Sequence, residues 1–555
     1  MLASLLLYAP MTPAGVDTSR VPIAGSVTAV TLRDILERPD GPRVEGESLD
    51  LPALRRFYRR RDFTPAWGPD DAGVERAALL VETLANAETH GLNSHDYHLD
   101  AIRDRRSATG DAIERELLLT DGCLRYATQV RTGRVPPGQA DQDWEIPLPR
   151  FDPVVELAAA LREPSSFRAL LASLPPPAKG YGRLVDALPR YRAMAARPGD
   201  WPVVPPGPAL RPGDSDVRVP ALRRRLAIED RLVSPTPGVD YDAVLEGAVR
   251  RFQALHGLAI DGVVGADTLQ ALAVPASERV RQIEVNLERW RWVPRDLGRR
   301  HVAVNTADAT LEVVEEGRTV LASRVVVGDP QHPTPVLRTR LDAVILNPTW
   351  SVPRSIAVDE MLPRLRRNPG YLADNDIVIL GRETDPFGRT IDWSNVPSDP
   401  FPFLLQQPPG PKNPMGRLKF ETPNPFDVYL HDTPGKSLFA RMSRAASHGC
   451  VRVEQARPLA AYVLGGSGTA WSPRAIDEAI ATGHTQRVPV RRPLPVYLLY
   501  WTAFVDAQGA VHFLDDVYGR DQRLAAALAG DANLHTRAGD RQAVGCTSGD
   551  GDIRR

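Results

Sequence analysis

What most constrains this chain is a change in the period of its apolar residues near position 300. Before it, apolar side chains recur every three or four residues, as a buried helix face requires. Leu51, Leu54 and Phe57/Tyr58 do so, and Leu79, Leu80 and Leu84 repeat the pattern. From His301 to Gly328 the spacing becomes two: Val302 and Val304, then Leu311 and Val313, a Glu316-Gly317 turn, and Val320, Ala322, Val325 and Val327. Successive side chains of a strand point to opposite faces, so this pattern predicts a β-meander with one buried side. Further strands are expected at 343–346, 428–430 and 496–501, with a helix at 473–482. Helical and β-rich parts that follow one another predict a multi-domain α+β protein. At roughly 150 residues per domain, the 555 residues suggest three or four domains.

Composition divides the chain further. Its 52 prolines, about 9% against a usual 5%, imply stiff connections and interrupted helices. Residues 1–30 read as a tail; MLASLLLYAPM has an apolar core of signal-peptide size but no basic residue before it. A helical scaffold is expected over 31–197, then a proline-rich extended linker at 198–213. A small three-helix unit follows over 214–274, its helices marked by Val219/Leu222/Leu226, Val244/Ala248/Phe252 and Leu269/Leu272. A connecting helix occupies 277–292 within 275–300. The β-rich domain spans 301–505 and contains an irregular, proline-rich stretch at 353–411. That stretch is too long for a plain connection, so a lid or capping insertion is expected there. Residues 506–555 form an extension whose end, from about Asp531, is Gly-, Asp- and Arg-rich and expected to be disordered.

Several functions are excluded or disfavoured. With 68 Lys+Arg against 69 Asp+Glu the net charge is −1, which argues against nucleic acid as the main partner. No apolar run approaches the roughly 20 residues of a membrane span. Arg55, Arg56, Arg59, Arg60 and Arg61 read as a solvated helix face, and His95 and His98 as structural histidines rather than a metal pair. Three cysteines, Cys123, Cys450 and Cys546, cannot make a disulfide framework and leave at least one thiol unpaired.

The strongest chemistry lies in YLHDTPGKSLFARMSRAASHGCVRVE, residues 429–454. Cys450 follows Ser447-His448-Gly449, and His431 ends an apolar strand nineteen positions earlier. A thiol attacks an amide once an imidazole converts it to thiolate and backbone amides receive the oxyanion. Residues alone leave three readings: a nucleophile, a metal site lacking a fourth ligand of suitable spacing, or a buried structural thiol. The residues three before the four lysines are Pro176, Pro409, Gly416 and Thr433, which excludes the Ser-x-x-Lys of penicillin-binding serine enzymes. Gly435-Lys436-Ser437 mimics the end of a P-loop, but Leu430 stands where its first glycine is required.

The arrangement His431, fifteen residues, then Ser447-His448-Gly449-Cys450-Val451-Arg452 resembles the motif of the YkuD-type L,D-transpeptidases, in particular their large periplasmic members. VVVGDPQHPTPVL, LNPTWSVPRSI and KNPMGRLKF resemble the start of that catalytic core and the two sides of its capping insertion, although Gln331-His332-Pro333 lacks the expected basic residue. FYRRRDFTPAW and HGLNSHDYH resemble the helical scaffold, and AVRRFQALHGLAIDGVVGADTLQAL resembles a peptidoglycan-binding domain. The resemblance implies Cys450 as nucleophile, His431 as base, His448 as an orienting residue, and the amides of Gly449 and Cys450 as oxyanion hole. It further implies stem-peptide contacts from Ser447, Arg452 and Trp350, no metal and no cofactor. The implied activity is 3→3 cross-linking of peptidoglycan stem peptides in the periplasm, with carbapenems as inhibitors. A hydrolytic L,D-carboxypeptidase or amidase and a non-catalytic wall-binding protein are the alternatives.

Overall fold

The computed structural model describes residues 27–530 except 69, 105–110, 198–200, 231 and 466–470. The amino-terminal segment read as a tail or export signal, and the stretch beyond 530 with Cys546, lie outside the described residues. The chain divides into two compact units, one running to 131 and including 151–175, the other formed by 132–150 and the residues from 176 onward.

The first unit is helical. Leu51–Arg59 starts where Asp50 Oδ1 accepts from the Ala53 amide, with Pro52 in its first turn. Asp70 caps Asp71–Ala85, and Asp152 caps Pro153–Ala160. Leu54, Phe57, Leu80, Leu84, Leu118, Leu119 and Phe167 share one core, as the helical spacing requires. The Glu116 carboxylate is buried there, accepting from the amides of Ala66 and Trp67 and from the Tyr58 hydroxyl. Without those donors it would be a costly buried charge. His98 is also structural: Nδ1 lies 2.5 Å from Glu47 and Nε2 2.7 Å from Asp121. Among the described residues no group of three or more His, Cys, Asp and Glu side chains could hold a metal ion. The arginine-rich helix is only partly a solvated face. Arg56, Arg59 and Arg60 are exposed, Arg56 pairing with Asp152, whereas Arg55 is half-buried and donates to the carbonyls of Leu36 and Arg38.

In the second unit Lys179–Ala195 packs against Ala276–Trp292, with Tyr181, Leu184 and Leu188 meeting Ile283, Leu287 and Trp290. Periodicity reveals that a helix has an apolar face but not which partner covers it. Val219–Leu226, Ala243–Leu255 and Ala266–Ala273 form the expected small unit. Its F-Q…D-G pattern has a physical cause. The Gln253 amide accepts from the Gly262 N–H at 2.9 Å and donates to Asp261 and Val263, closing the turn onto the helix. The proline-rich stretch before it is anchored rather than a free spacer. Trp201 lies under the Arg225 guanidinium at 3.6 Å, and Leu210 pairs with Val264.

The β-rich domain contains β1 (Arg300–Asn305), β2 (Thr310–Glu315), β3 (Arg318–Gly328), β4 (Val336–Leu346), β5 (Leu418–Glu421), β6 (Leu430–His431), β7 (Val451–Val453) and β8 (Gln486–Leu499). The β1–β2–β3 meander is antiparallel as expected, turning at Glu316-Gly317 with both residues at positive φ. Hydrogen-bonded order is β4-β8-β1-β2-β3-β7-β6-β5, and β5 pairs back onto β4, so the ladder closes on itself. Val302, Val304, Leu311, Val313, Val325, Val327, Phe420, Leu430, Val451 and Val453 fill its core together with Leu459 of helix Ala456–Leu464 and Ile476 of helix Pro473–Ala481. β8 begins ten residues before the expected strand. Its prolines and a register shift between Pro489 and Leu494 hide the alternation.

The insertion leaves at the end of β4 and returns at the start of β5, where Leu346 and Leu418 are partners. It is not irregular throughout. Strands Trp350–Ser351, Val378–Ile379 and Leu405–Gln407 form a small sheet, and Ile356–Met361 is a π-helix running into Leu362–Arg367. Met361, Leu362, Leu365, Ile377, Trp393, Phe401 and Leu405 give it a core of its own. Elements of two or three residues leave no periodic trace in a sequence. Past 505, strand Val511–Phe513 and helix Arg520–Ala529 are packed parts of the unit: Arg520 pairs with Asp141 and donates to the Thr334 carbonyl at 3.1 Å. No helix among the described residues is long and apolar enough to cross a membrane.

Candidate active site

The site follows from strand register. β6 and β7 are parallel, with Leu430 opposite Val451 and His431 opposite Arg452. The Val451 amide donates to the Tyr429 carbonyl at 3.0 Å, which places Cys450 beside Tyr429. Leu430, Val451 and Val453 point into the core, so alternation puts Tyr429, His431, Cys450 and Arg452 on the opposite face. Lys419, the β5 partner of His431, joins them; its ammonium sits 4.1 Å from the Tyr429 ring centre.

His431 is buried, and its Nδ1 donates to the Asp432 carbonyl at 2.5 Å. A carbonyl can only accept, so the proton resides on Nδ1 and Nε2 carries the lone pair. Asp432 is itself fixed, accepting from the Arg417 amide and from Lys436. Lys436, of the P-loop mimic, is thereby engaged. Burial first, then the positive charge of Arg452, pushes His431 down to about 3, so the resting imidazole is neutral. The Arg452 guanidinium is also lowered by burial, while the neighbouring Cys450 acts in the opposite direction.

Cys450 is 6% exposed and stands immediately before β7, after a turn held by two side chains. Gly449 has φ +104°, a region that favours glycine. Ser447 Oγ donates to the Cys450 carbonyl at 2.6 Å and accepts from the Gly449 amide at 3.2 Å. Thr334 Oγ1 donates to the Gly449 carbonyl at 2.8 Å and accepts from the Gly328 amide at 2.9 Å. The Gly449 N–H and the buried Ser447 hydroxyl, expected in the oxyanion hole and at the stem peptide, are here joined to each other within the turn. Trp350, the third expected substrate contact, packs against the insertion's own core.

His448 is half-buried. Its Nε2 donates to Glu360 Oε1 of the insertion at 2.7 Å, and its ring lies 4.8 Å from that of His332. Sequence reasoning missed Glu360, because a glutamate ninety residues from the motif carries no spacing signal. Thr334 stood inside the quoted Thr-Pro turn, but its bonds depend on β3 and β7 meeting. Cys123 contrasts with Cys450: it is fully buried in the first unit, and burial pushes its thiol up, away from the reactive thiolate.

Comparison with known proteins agrees with this layout. Residues 299–488 match the L,D-transpeptidase catalytic domain, 215–272 a peptidoglycan-binding domain and 52–188 a scaffold domain. These matches define a multi-domain protein in which a peptidoglycan-binding module and a helical scaffold accompany one catalytic domain. The match over residues 299–488 is to the YkuD family of L,D-transpeptidases. A Haemophilus influenzae protein named "Putative L,D-transpeptidase" is 32% identical over 278 residues, covering 49% of this chain and 55% of that protein. The chain thus spans about half the length of the curated relative it matches. Among solved structures, an L,D-transpeptidase from Xylanimonas cellulosilytica is 17% identical, with 53% of this chain and 98% of that chain covered at a TM-score of 0.18. One from Stackebrandtia nassauensis is 12% identical, with 54% and 96% covered at 0.21. At such scores the assignment rests on the sequence matches alone.

Proposed function

We propose that the chain is a peptidoglycan L,D-transpeptidase that forms 3→3 cross-links through a Cys450 thioester. The observation that carries this reading is the shared face of β6 and β7, which holds His431, Cys450 and Arg452 beside one another. His431, neutral with its lone pair on Nε2, is the base. It takes the Cys450 proton as Sγ attacks the carbonyl of the third stem residue. The resulting imidazolium gives that proton to the departing D-Ala nitrogen as the C–N bond breaks, leaving a thioester. The side-chain amine of a third residue on a neighbouring stem then attacks. A new amide forms, the C–S bond breaks and the thiol is restored.

The ion pair expected between thiolate and imidazolium is disfavoured in the resting site, because burial and Arg452 oppose protonation of His431. Arg452 instead supplies the fixed positive charge facing the thiol. His448 and Gly449 shape the turn. Residues 214–274 hold the polymer, and the place of action is the periplasm or cell wall. The same acylation chemistry makes Cys450 the target of carbapenems.

Hydrolysis of the thioester, giving an L,D-carboxypeptidase, is the competing outcome. The insertion's contact with His448 favours transfer, since a covered thioester meets less water. Incubation with disaccharide-tetrapeptides followed by mass spectrometry separates the two. Dimers with 3→3 links are expected, whereas tripeptide monomers alone would mean hydrolysis. Cys450→Ala should abolish product and carbapenem acylation together and Cys123→Ala neither; turnover by the Cys450 variant would overturn the assignment.

A further inference from the structure

Helix Leu51–Arg59 carries a local conflict that its own stability does not explain. Arg55 and Arg59, and likewise Arg56 and Arg60, stand four residues apart, a spacing at which like charges repel across one helix face. The helix C-terminus, equivalent to roughly half a negative charge, offsets only part of that repulsion. Folding adds to the charge. Two open grooves share Arg60: one is lined by Pro52, Arg55, Arg56 and Arg59, the other by Arg61, Arg162 and Thr64 over Val155 and Ala159. Six guanidinium groups thus border one face, and none of the described residues lining its grooves is acidic. Half of them are held in place. Arg55 donates to the carbonyls of Leu36 and Arg38, Arg61 to those of Thr64 and Pro65, and Arg56 pairs with Asp152. The exposed side chains of Arg59, Arg60 and Arg162 have no hydrogen-bond or ion-pair partner among the described residues.

Such a face fits a ligand that presents several anionic groups side by side. Nucleic acid is disfavoured, because Phe57 and Tyr58, the aromatic residues of this helix, are fully buried and leave bases nothing to stack on. A small phosphate ester is disfavoured too, since small ligands are held in enclosing pockets and both grooves are open. An acidic phospholipid surface suits both features. Its headgroup phosphates lie beside one another in a plane, and guanidinium groups bind phosphate through a bidentate fork. Val155, 38% exposed in the second groove, supplies an apolar contact. We propose that this arginine face of the first unit docks the protein onto a membrane surface rich in anionic phospholipid. The contact is peripheral and independent of the thiol chemistry, so either reading can fail without the other.

Co-sedimentation of the full chain with phosphatidylcholine vesicles, with and without phosphatidylglycerol, tests this. Binding should require phosphatidylglycerol and weaken with added salt, since exposed charges are screened. Arg59→Gln, Arg60→Gln and Arg162→Gln should each weaken it about fivefold, and the triple variant about a hundredfold. Arg318→Gln removes the same charge from an exposed position outside the first unit and should change nothing. Lysine at the same three positions keeps the charge and should retain most of the binding. A lysine triple that binds no better than the glutamine triple would show that charge is not the determinant and overturn the proposal. Equal binding to pure phosphatidylcholine, or an equal loss in Arg318→Gln, would overturn it as well. Displacement by inorganic phosphate beyond that by chloride at equal ionic strength would make a soluble anion the ligand and refute the membrane surface. A glutamine triple that lost isolated peptidoglycan but kept the vesicles would assign the face to the wall polymer instead.

Discussion

At the scale of single residues, two buried groups, His431 and Cys450, carry the proposed chemistry. His431 stays neutral in the folded protein down to about pH 3, whereas an unfolded chain protonates it near its ordinary value of 6.5. Between those values the unfolded state binds more protons, so His431 removes stability progressively as pH falls from 6.5 toward 3. His431→Gln should therefore flatten the acid side of the stability profile. Urea midpoints at pH 7, 5 and 4 would check this: the wild type should lose more stability than the variant. Parallel losses would mean that the imidazole is not held neutral. The juxtaposition of Cys450 and His431 was legible in sequence because both fall within one short motif. Glu360 was not, because it reaches the motif through tertiary folding alone.

At the scale of elements, the turn between Ser447 and β7 is maintained from outside by Thr334. Its hydroxyl satisfies the Gly449 carbonyl and the Gly328 amide, and its carbonyl accepts from Arg520. Thr334→Val keeps the shape and removes both hydroxyl bonds. A loss of about 1–3 kcal/mol is expected, the cost of leaving buried polar groups unpaired, and denaturant titration would measure it. Peptide-mapped alkylation of Cys450 should speed up in that variant. The meander, the three small helices and helix 276–292 were readable because each carries an unbroken apolar period over several residues. The first half of β8 and the insertion's strands were not. A prolyl bulge breaks the period in one, and the others are two or three residues long.

At the scale of the whole chain, the proposed function puts polymer recognition and bond chemistry in different segments. Purified Cys450→Ala protein should still sediment with isolated peptidoglycan sacculi as the wild type does, while forming no thioester. Loss of sedimentation would mean that the reacting thiol, not residues 214–274, holds the polymer. The partners of individual segments were not legible: helix 179–195 meets helix 276–292 and strand 511–513 through Leu184, Leu188 and Phe513, and Arg520 reaches Asp141 and Thr334. Such long-range pairing has no local signature.

The antiparallel pairing of Leu346 with Leu418 has a consequence for how such a chain can change. Everything between them is, for the barrel-like ladder, a single hairpin loop, however elaborate its interior. Lengthening, shortening or exchanging that cassette leaves the register of β4, β5 and β6 untouched, and the entropy of closing a loop grows only slowly with its length. The face bearing Cys450 can therefore stay fixed while the inserted segment diversifies. A short Asn-Gly turn grafted between the two leucines is the minimal form of this architecture.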